Sequence, residues 1–231
     1  FGDAAAALGG DFTIPAKGTV TLHYVMAIGE SKAQTESIIE KFTPKEAVSK
    51  AIEAAKTSWM TRLSPTAVKT ALPDFDVMNN TWLPYQAISA RLWGRTGYYQ
   101  QSGAFGFRDQ LQDSQVWLTL DPIKCREQIR LHARHQFVDG SVYHWWHPLA
   151  EFGNHTACSD DYLWLPFIIA AYIKETGDTA ILNFREAFVD SKEETTLLDH
   201  CERSIARAFG RMSPRGLPLI GSSLETRRDI L

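Results

Sequence analysis

The sequence predicts a mainly α-helical protein, in which a domain of paired helices follows linker helices and the end of a β domain. Three observations predict it. The apolar period changes from two to about 3.6 after residue 30. Helix start and stop signals recur from residue 43 to residue 177. No strand-rich stretch separates the helical segments, so alternating βαβ units are excluded. With 231 residues, 44% hydrophobic and 22% charged, the chain has the composition of a globular protein able to bury a core.

Residues 19–28 place Val20, Leu22, Tyr24, Met26 and Ile28 on one side, the pattern of a half-buried strand. A lone strand leaves its backbone groups unpaired, so residues 1–30 read as the C-terminal end of a β domain whose other strands lie upstream. The first residue, Phe1 rather than Met, agrees with an internal piece of a longer protein. Thr43, Pro44 and Glu46 read as a capping box, followed by a stripe of Val48, Ile52, Ala55 and Trp59. Residues 31–75 are therefore expected to be linker helices. Residues 76–231 read as helices near 78–96, 109–119, 122–136, 160–175 and 194–209. Asp121-Pro122 and Ser159 mark helix starts and Gly177 a stop.

Charge and cysteine content exclude several function classes. Lys plus Arg number 24 against 27 Asp plus Glu, a net charge of -3, which argues against nucleic acid or an acidic membrane surface as partner. No apolar run reaches the roughly 18 residues of a membrane span. Cys125, Cys158 and Cys201 are odd in number and widely spaced, which makes no disulfide framework and points to a reducing, cytoplasmic compartment.

The chemistry-bearing residues concentrate in one region. Of the 26 aromatic residues, 16 fall between residues 76 and 170. Trp145-Trp146-His147-Pro148 reads as a loop, because Pro148 breaks a helix; its indoles serve either as sugar-stacking platforms or as packing anchors. Gly103 to Asp113 brings Arg108, Asp109 and Asp113 to a helix start, where they suit either an anion and sugar hydroxyls or a cap with a salt bridge. Cys158-Ser159-Asp160-Asp161 opens another helix, with capping as its simpler role. A metallic reading groups His144, His147, His155 and Cys158 as zinc ligands, although one cysteine and a short spacer fit a finger poorly.

Asn80-Thr81-Trp82-Leu83-Pro84-Tyr85-Gln86, the run Ser102 to Asp113, His144-Trp145-Trp146-His147-Pro148 and the run Ser159 to Pro166 occur in that order. Together they resemble the inverting disaccharide phosphorylases of the cellobiose and chitobiose phosphorylase family, and the phosphorylase-like module of cyclic β-1,2-glucan synthases. The resemblance extends from about residue 1 to residue 221. It implies an N-terminal β-sandwich, linker helices and an (α/α)6 barrel whose loops form the site. Fewer residues follow Asp76 than twelve helices need, so residues 76–231 are expected to be the first half of that barrel, only marginally folded alone.

The resemblance further implies cleavage or formation of β-glucosidic bonds by inverting phosphorolysis, with inorganic phosphate as co-substrate and neither cofactor nor metal. An acid protonates the leaving oxygen while phosphate attacks the opposite face of the sugar. It assigns phosphate binding to Arg108 and donor-sugar hydroxyls to Asp109. Gln110, Asp113, Trp145, Trp146, His147, Asp160 and Asp161 complete the substrate-binding candidates. In the family a segment like Arg215 to Gly221 leads into Gly-Asp-Trp-Asn-Asp-Gly, whose second Asp is the acid. Here Ser222 to Leu231 follows instead, and neither Glu225 nor Asp229 has the flanking residues, so no catalytic acid is recognisable. The expected partners are a β-linked gluco-oligosaccharide and phosphate, and the intact protein is compatible with a homodimer. The alternative is a non-catalytic carbohydrate-binding or interaction module of the same fold.

Overall fold

A computed structural model of the chain describes residues 7–94 and 103–219. They fall into two units, divided after Trp59.

In the first unit, residues 18–29 form no ladder, and Met26 and Ile28 are 93% and 88% exposed. The expected strand is thus extended chain without a neighbouring strand among the described residues, and the apolar side predicted to face inward is open. Helix α1 (Lys32–Phe42) starts at the N-cap Ser31, in a variant of the capping box whose return bond goes to the residue before the cap. The Ser31 side chain accepts from the Gln34 N–H at 3.2 Å, and the Gln34 side chain reaches back to the Glu30 N–H at 2.5 Å. Thr43 is no N-cap. Its φ and ψ of -67° and -38° are helical and its hydroxyl donates to the Ile39 carbonyl at 2.7 Å, so it closes α1 instead of opening α2 (Lys45–Leu63). A residue in the helical region cannot offer the extended geometry a cap needs. The stripe on α2 is largely uncovered, with Ile52 51% exposed.

The second unit begins with a helical run through α3 (Pro73–Val77), a wide π-helical turn (Met78–Trp82), α4 (Leu83–Gln86) and a second wide turn (Ala87–Gly94). Pro84 accounts for the first widening. It has no N–H, and its ring would press on the carbonyl four residues back, so the Leu83 N–H reaches five back to Met78. The helices that follow are α5 (Phe107–Asp113), α6 (Val116–Leu120), α7 (Pro122–Ala133), α8 (Ser159–Thr176) and α9 (Leu197–Phe209). Their buried positions recur at helical spacing: Cys125, Ile129, His132 and Ala133 on α7, and Leu197, Cys201, Ser204 and Ala208 on α9. Thr196 caps α9 by accepting from the Asp199 N–H at 3.2 Å. Gly177 ends α8 at φ +72°, its N–H returned to the Ile173 carbonyl. The predicted caps Asp121 and Ser159 make no side-chain cap bond; Ser159 is the first residue of α8, after Cys158.

Two small antiparallel sheets join these helices. Strands β1 (Phe105–Gly106), β2 (Tyr143–His147) and β3 (Phe152–His155) pair in that order, and β4 (Arg185–Ala187) pairs with β5 (Glu194–Thr196). Trp145 and Trp146 therefore lie in a central strand and not in a loop. Pro148 stands just past the end of β2, where a missing N–H costs no ladder bond. Below the sheets, a buried polar network ties α7 to α9. The Gln136 side-chain amide donates to the His200 carbonyl at 3.0 Å and to Ser204 Oγ at 2.7 Å. His200 Nε2 meets the Glu186 carbonyl at 3.2 Å. The nearly buried Glu186 carboxylate is bound by Arg130 and by Arg134 at 3.0 Å.

The turn that follows α7 lies directly on α9. A Cβ on Gly140, which has φ +84°, would sit 2.3 Å from the Arg203 carbonyl oxygen. Gly140→Ala is therefore expected to cost about 2 kcal/mol or more, from strain and lost contact together. Gly177→Ala, at φ +72° with nothing within 4 Å, carries only the left-handed penalty of about 1 kcal/mol. Urea unfolding of both variants reads the difference; equal losses would rule out close approach to α9 as the reason for glycine at 140.

Candidate functional site

The three-stranded sheet carries the two helix starts that hold most of the predicted residues. Strand β1 pairs with β2 through Phe105 opposite Trp146 and Gly106 opposite Trp145, and α5 begins at the next residue. Strand β3 pairs with the other edge of β2, and α8 begins at Ser159, four residues after it ends. Arg108 and Asp109 are thus delivered from one side of β2, and Cys158, Asp160 and Asp161 from the other. The register shifts between Tyr143 and Trp145, which makes His144 a bulge residue. A bulge re-aims its side chain. Here it turns His144 Nδ1 to Asp161 Oδ2 at 2.6 Å.

The charges form a linked set. Arg108 donates from Nη1 to Asp160 Oδ2 at 3.0 Å, and its Nε lies 3.7 Å from Asp109 Oδ1. Cys158 Sγ donates to Asp160 Oδ1 at 2.9 Å. The hydrogen bond to Asp161 holds the His144 imidazole above its ordinary value, and burial pushes the Asp161 carboxyl up as well. The proton between them is therefore kept to higher pH than a free imidazole keeps it. Burial works upward on Asp160 too, but the Cys158 thiol and Arg108 hold its carboxyl below the usual range. Burial and the Asp160 contact push the Cys158 thiol up to about 12. This is a fixed carboxylate, a partly exposed guanidinium and an imidazole–carboxyl pair sharing a hydrogen bond, a set able to hold hydroxyls and an oxyanion.

Not every predicted residue joins this set. Gln110 is fully buried and its Nε2 donates to the Leu92 carbonyl at 2.9 Å, so it ties α5 to the preceding helical turn. Asp113 is drawn away by Arg91, whose Nε lies 2.7 Å from Oδ2. Trp146 is fully buried, stacked on His135 at 4.0 Å between ring centres, with Phe105, Phe107 and His132 at its edges. The alternation of the strand puts Trp145 and His147 on its other side, 5.6 Å apart and half-buried, with Phe152 next to Trp145. The packing-anchor reading thus holds for Trp146, while Trp145 keeps an accessible ring.

The zinc quartet does not assemble. His155 Nε2 meets Ser141 Oγ at 2.7 Å and its ring stacks on Phe137, and His147 lies against Trp145. Of the four, His144 and Cys158 share one place, together with Asp161. A feature that sequence reading passed over is Trp164. With Leu163, Phe167 and Asp160 it lines a cavity of about 290 Å³, so Asp160 of the charged set borders an apolar and aromatic wall. Its signal was the spacing of four from Asp160 on one helix face. The segment expected to replace the acid motif, Ser222 to Leu231, lies outside the described residues, as does Ser102. Among the described residues no helix is long and apolar enough to cross a membrane.

Comparison with known proteins agrees with the motif reading. Residues 58–224 match the catalytic domain of the glycosyl hydrolase 94 superfamily. The chain is 36% identical over 236 residues to cyclic beta-(1,2)-glucan synthase NdvB of Rhizobium meliloti (strain 1021), covering 95% of this chain and 8% of that protein. It is 26% identical over 222 residues to N,N'-diacetylchitobiose phosphorylase of Vibrio proteolyticus, covering 84% and 27%. It is 30% identical over 154 residues to solabiose phosphorylase of Paenibacillus borealis, covering 66% and 18%. The chain thus spans well under a third of the length of each of these relatives.

The two neighbouring tryptophans should separate cleanly on substitution. Trp146→Ala empties a buried aromatic cluster and is expected to lower stability by about 3 to 5 kcal/mol. Trp145→Ala, on the open side of β2, is expected to cost no more than about 1.5 kcal/mol. Denaturant midpoints measure both; a Trp145 loss as large as that of Trp146 would make both residues core.

Proposed function

Because the chain belongs to the glycosyl hydrolase 94 superfamily, we propose that it supplies the phosphate- and donor-sugar-binding part of a glycoside phosphorylase, acting on β-glucosidic bonds by inverting transfer to inorganic phosphate. The observation that carries this reading is the linked set of Arg108, Asp109, Asp160, His144 and Asp161, of which Asp160 also lines the cavity beside Trp164. Sugar rings present apolar CH faces and a rim of hydroxyls, and an aromatic wall beside fixed carboxylates matches both.

Each residue has a role in this scheme. Arg108 is oriented by Asp160 and Asp109, and its side chain is 42% exposed, which leaves donors of its planar fork for phosphate oxygens. Asp109, in the first turn of α5, accepts donor-sugar hydroxyls. Asp160 both orients Arg108 and borders the aromatic cavity. His144 and Asp161 share a hydrogen bond that fixes the wall between β2 and α8. Phosphate on Arg108 attacks the anomeric carbon from the face opposite the leaving oxygen, which gives inversion; this sequence offers no recognisable group for the acid that protonates that oxygen.

The test uses a protein that carries this segment within the full length of its relatives, with phosphate consumption measured on β-linked glucobioses. Arg108→Lys is expected to lower kcat/KM for phosphate about tenfold or more with a smaller effect on the sugar, because an ammonium keeps the charge but loses the fork. Asp109→Asn is expected to remove roughly 1.5 to 3 kcal/mol of transition-state stabilisation with an unchanged melting temperature. No phosphate consumption with binding of the disaccharide retained would select the carbohydrate-binding module, and equal losses for both substrates in Arg108→Lys would reduce Arg108 to a structural ion pair.

A further inference from the structure

The bulge in β2 and the start of α8 bring together three side chains whose chemistry the sugar-binding scheme does not use up. His144 Nδ1, Cys158 Sγ and a carboxylate oxygen of Asp161 lie within 4.8 Å of one another. Two short contacts in the set are proton-sharing ones, His144 to Asp161 at 2.6 Å and Cys158 to Asp160 at 2.9 Å. Asp161 is 1% exposed, and its Oδ1 is buried without a hydrogen-bond partner among the described residues. A carboxylate oxygen buried without a donor is costly, and a cation is one group that would satisfy it.

We propose that His144, Cys158 and Asp161 form a binding site for one divalent cation of the zinc class, with Asp160 beside it as a fourth ligand. The ligand types select the ion. Imidazole and thiolate suit zinc, whereas magnesium and calcium take oxygen ligands almost exclusively. Zinc holds nitrogen at about 2.0 to 2.1 Å and sulfur at about 2.3 Å, so tetrahedral ligand atoms stand roughly 3.3 to 3.7 Å apart. The Cys158–Asp160 and His144–Asp161 contacts both open to reach that spacing, and the wider separations within the 4.8 Å cluster close to it. The entering ion displaces the thiol proton and the proton shared by His144 and Asp161, and both leave to solvent. Occupation takes Asp160 and Asp161 away from any hydroxyl they would otherwise meet. The site shares His144, Asp160 and Asp161 with the sugar reading, but metal uptake is measured without sugar or phosphate, so each can fail without the other.

The experiment titrates the chain, without sugar or phosphate, with Zn²⁺ and with Co²⁺ as its spectroscopic stand-in. One ion per chain is expected, with a thiolate-to-cobalt charge-transfer band, and no binding of Mg²⁺ at the same concentration. Cys158→Ser, a near-isosteric change at a half-exposed position, should weaken binding at least about tenfold and abolish the band, with the circular dichroism of the parent retained. Asp161→Asn should weaken binding while the band persists at high Co²⁺. Absence of zinc uptake, or Cys158→Ser with unchanged affinity and band, would overturn the proposal, the latter by assigning the thiolate to Cys125 or Cys201. Should Asp161→Asn fail to fold, Cys158→Ser and the band decide the question alone.

Discussion

Antiparallel pairing along β2 is the constraint on which the rest of the site depends. This strand of five residues accepts β1 on one edge and β3 on the other, and each neighbour runs within a few residues into a helix start that carries charge. Because backbone pairing is directional, the register fixes where Arg108 and Asp160 stand relative to each other more tightly than helix packing could. Trp146 locks that register from below. Its indole is wholly enclosed by rings from α5, α7 and β1, so a slip of one residue would bring Trp145 into the core and turn Trp146 out.

A second layer of polar bonds supports the sheet from the side of α9. Gln136, at the end of α7, bonds to His200 and Ser204, while Glu186 binds two arginines of the α7 region. Burial holds the His200 imidazole below its ordinary value. Buried polar groups of this kind stabilise only when each finds a partner. Here they join α7, β4 and α9 into the base on which the sheet rests.

The site combines rigidity with unequal solvation. Asp160 stays ionised because a guanidinium and a thiol donate to it, while its neighbour Asp161 is buried against an imidazole. Two adjacent carboxylates at one helix start thus have different environments, set by which element faces each. That difference suits a surface meeting both an anion and neutral hydroxyls, and it is also what leaves a donor-poor oxygen on Asp161.

The sequence alone determined the helices. Lone local signals sufficed to place α7, α8 and α9, because periodicity and the Gly177 stop act within a few residues, although the predicted caps Asp121 and Ser159 make no cap bond. The motif order was also legible, and with it the family. Tertiary structure decided the rest, since the deciding contacts join residues far apart in the chain. Strand β2 finds its partner about 40 residues earlier, so Pro148 pointed to a loop while ladder bonds made a strand. Gln110 and Asp113 look like site residues beside Asp109, but Leu92 and Arg91 claim them from another helical turn. Thr43 could equally end one helix or begin the next, and only its bond back to Ile39 settles it. His144 meets Asp161 because a bulge rotates it there, and no spacing of 17 residues announces that.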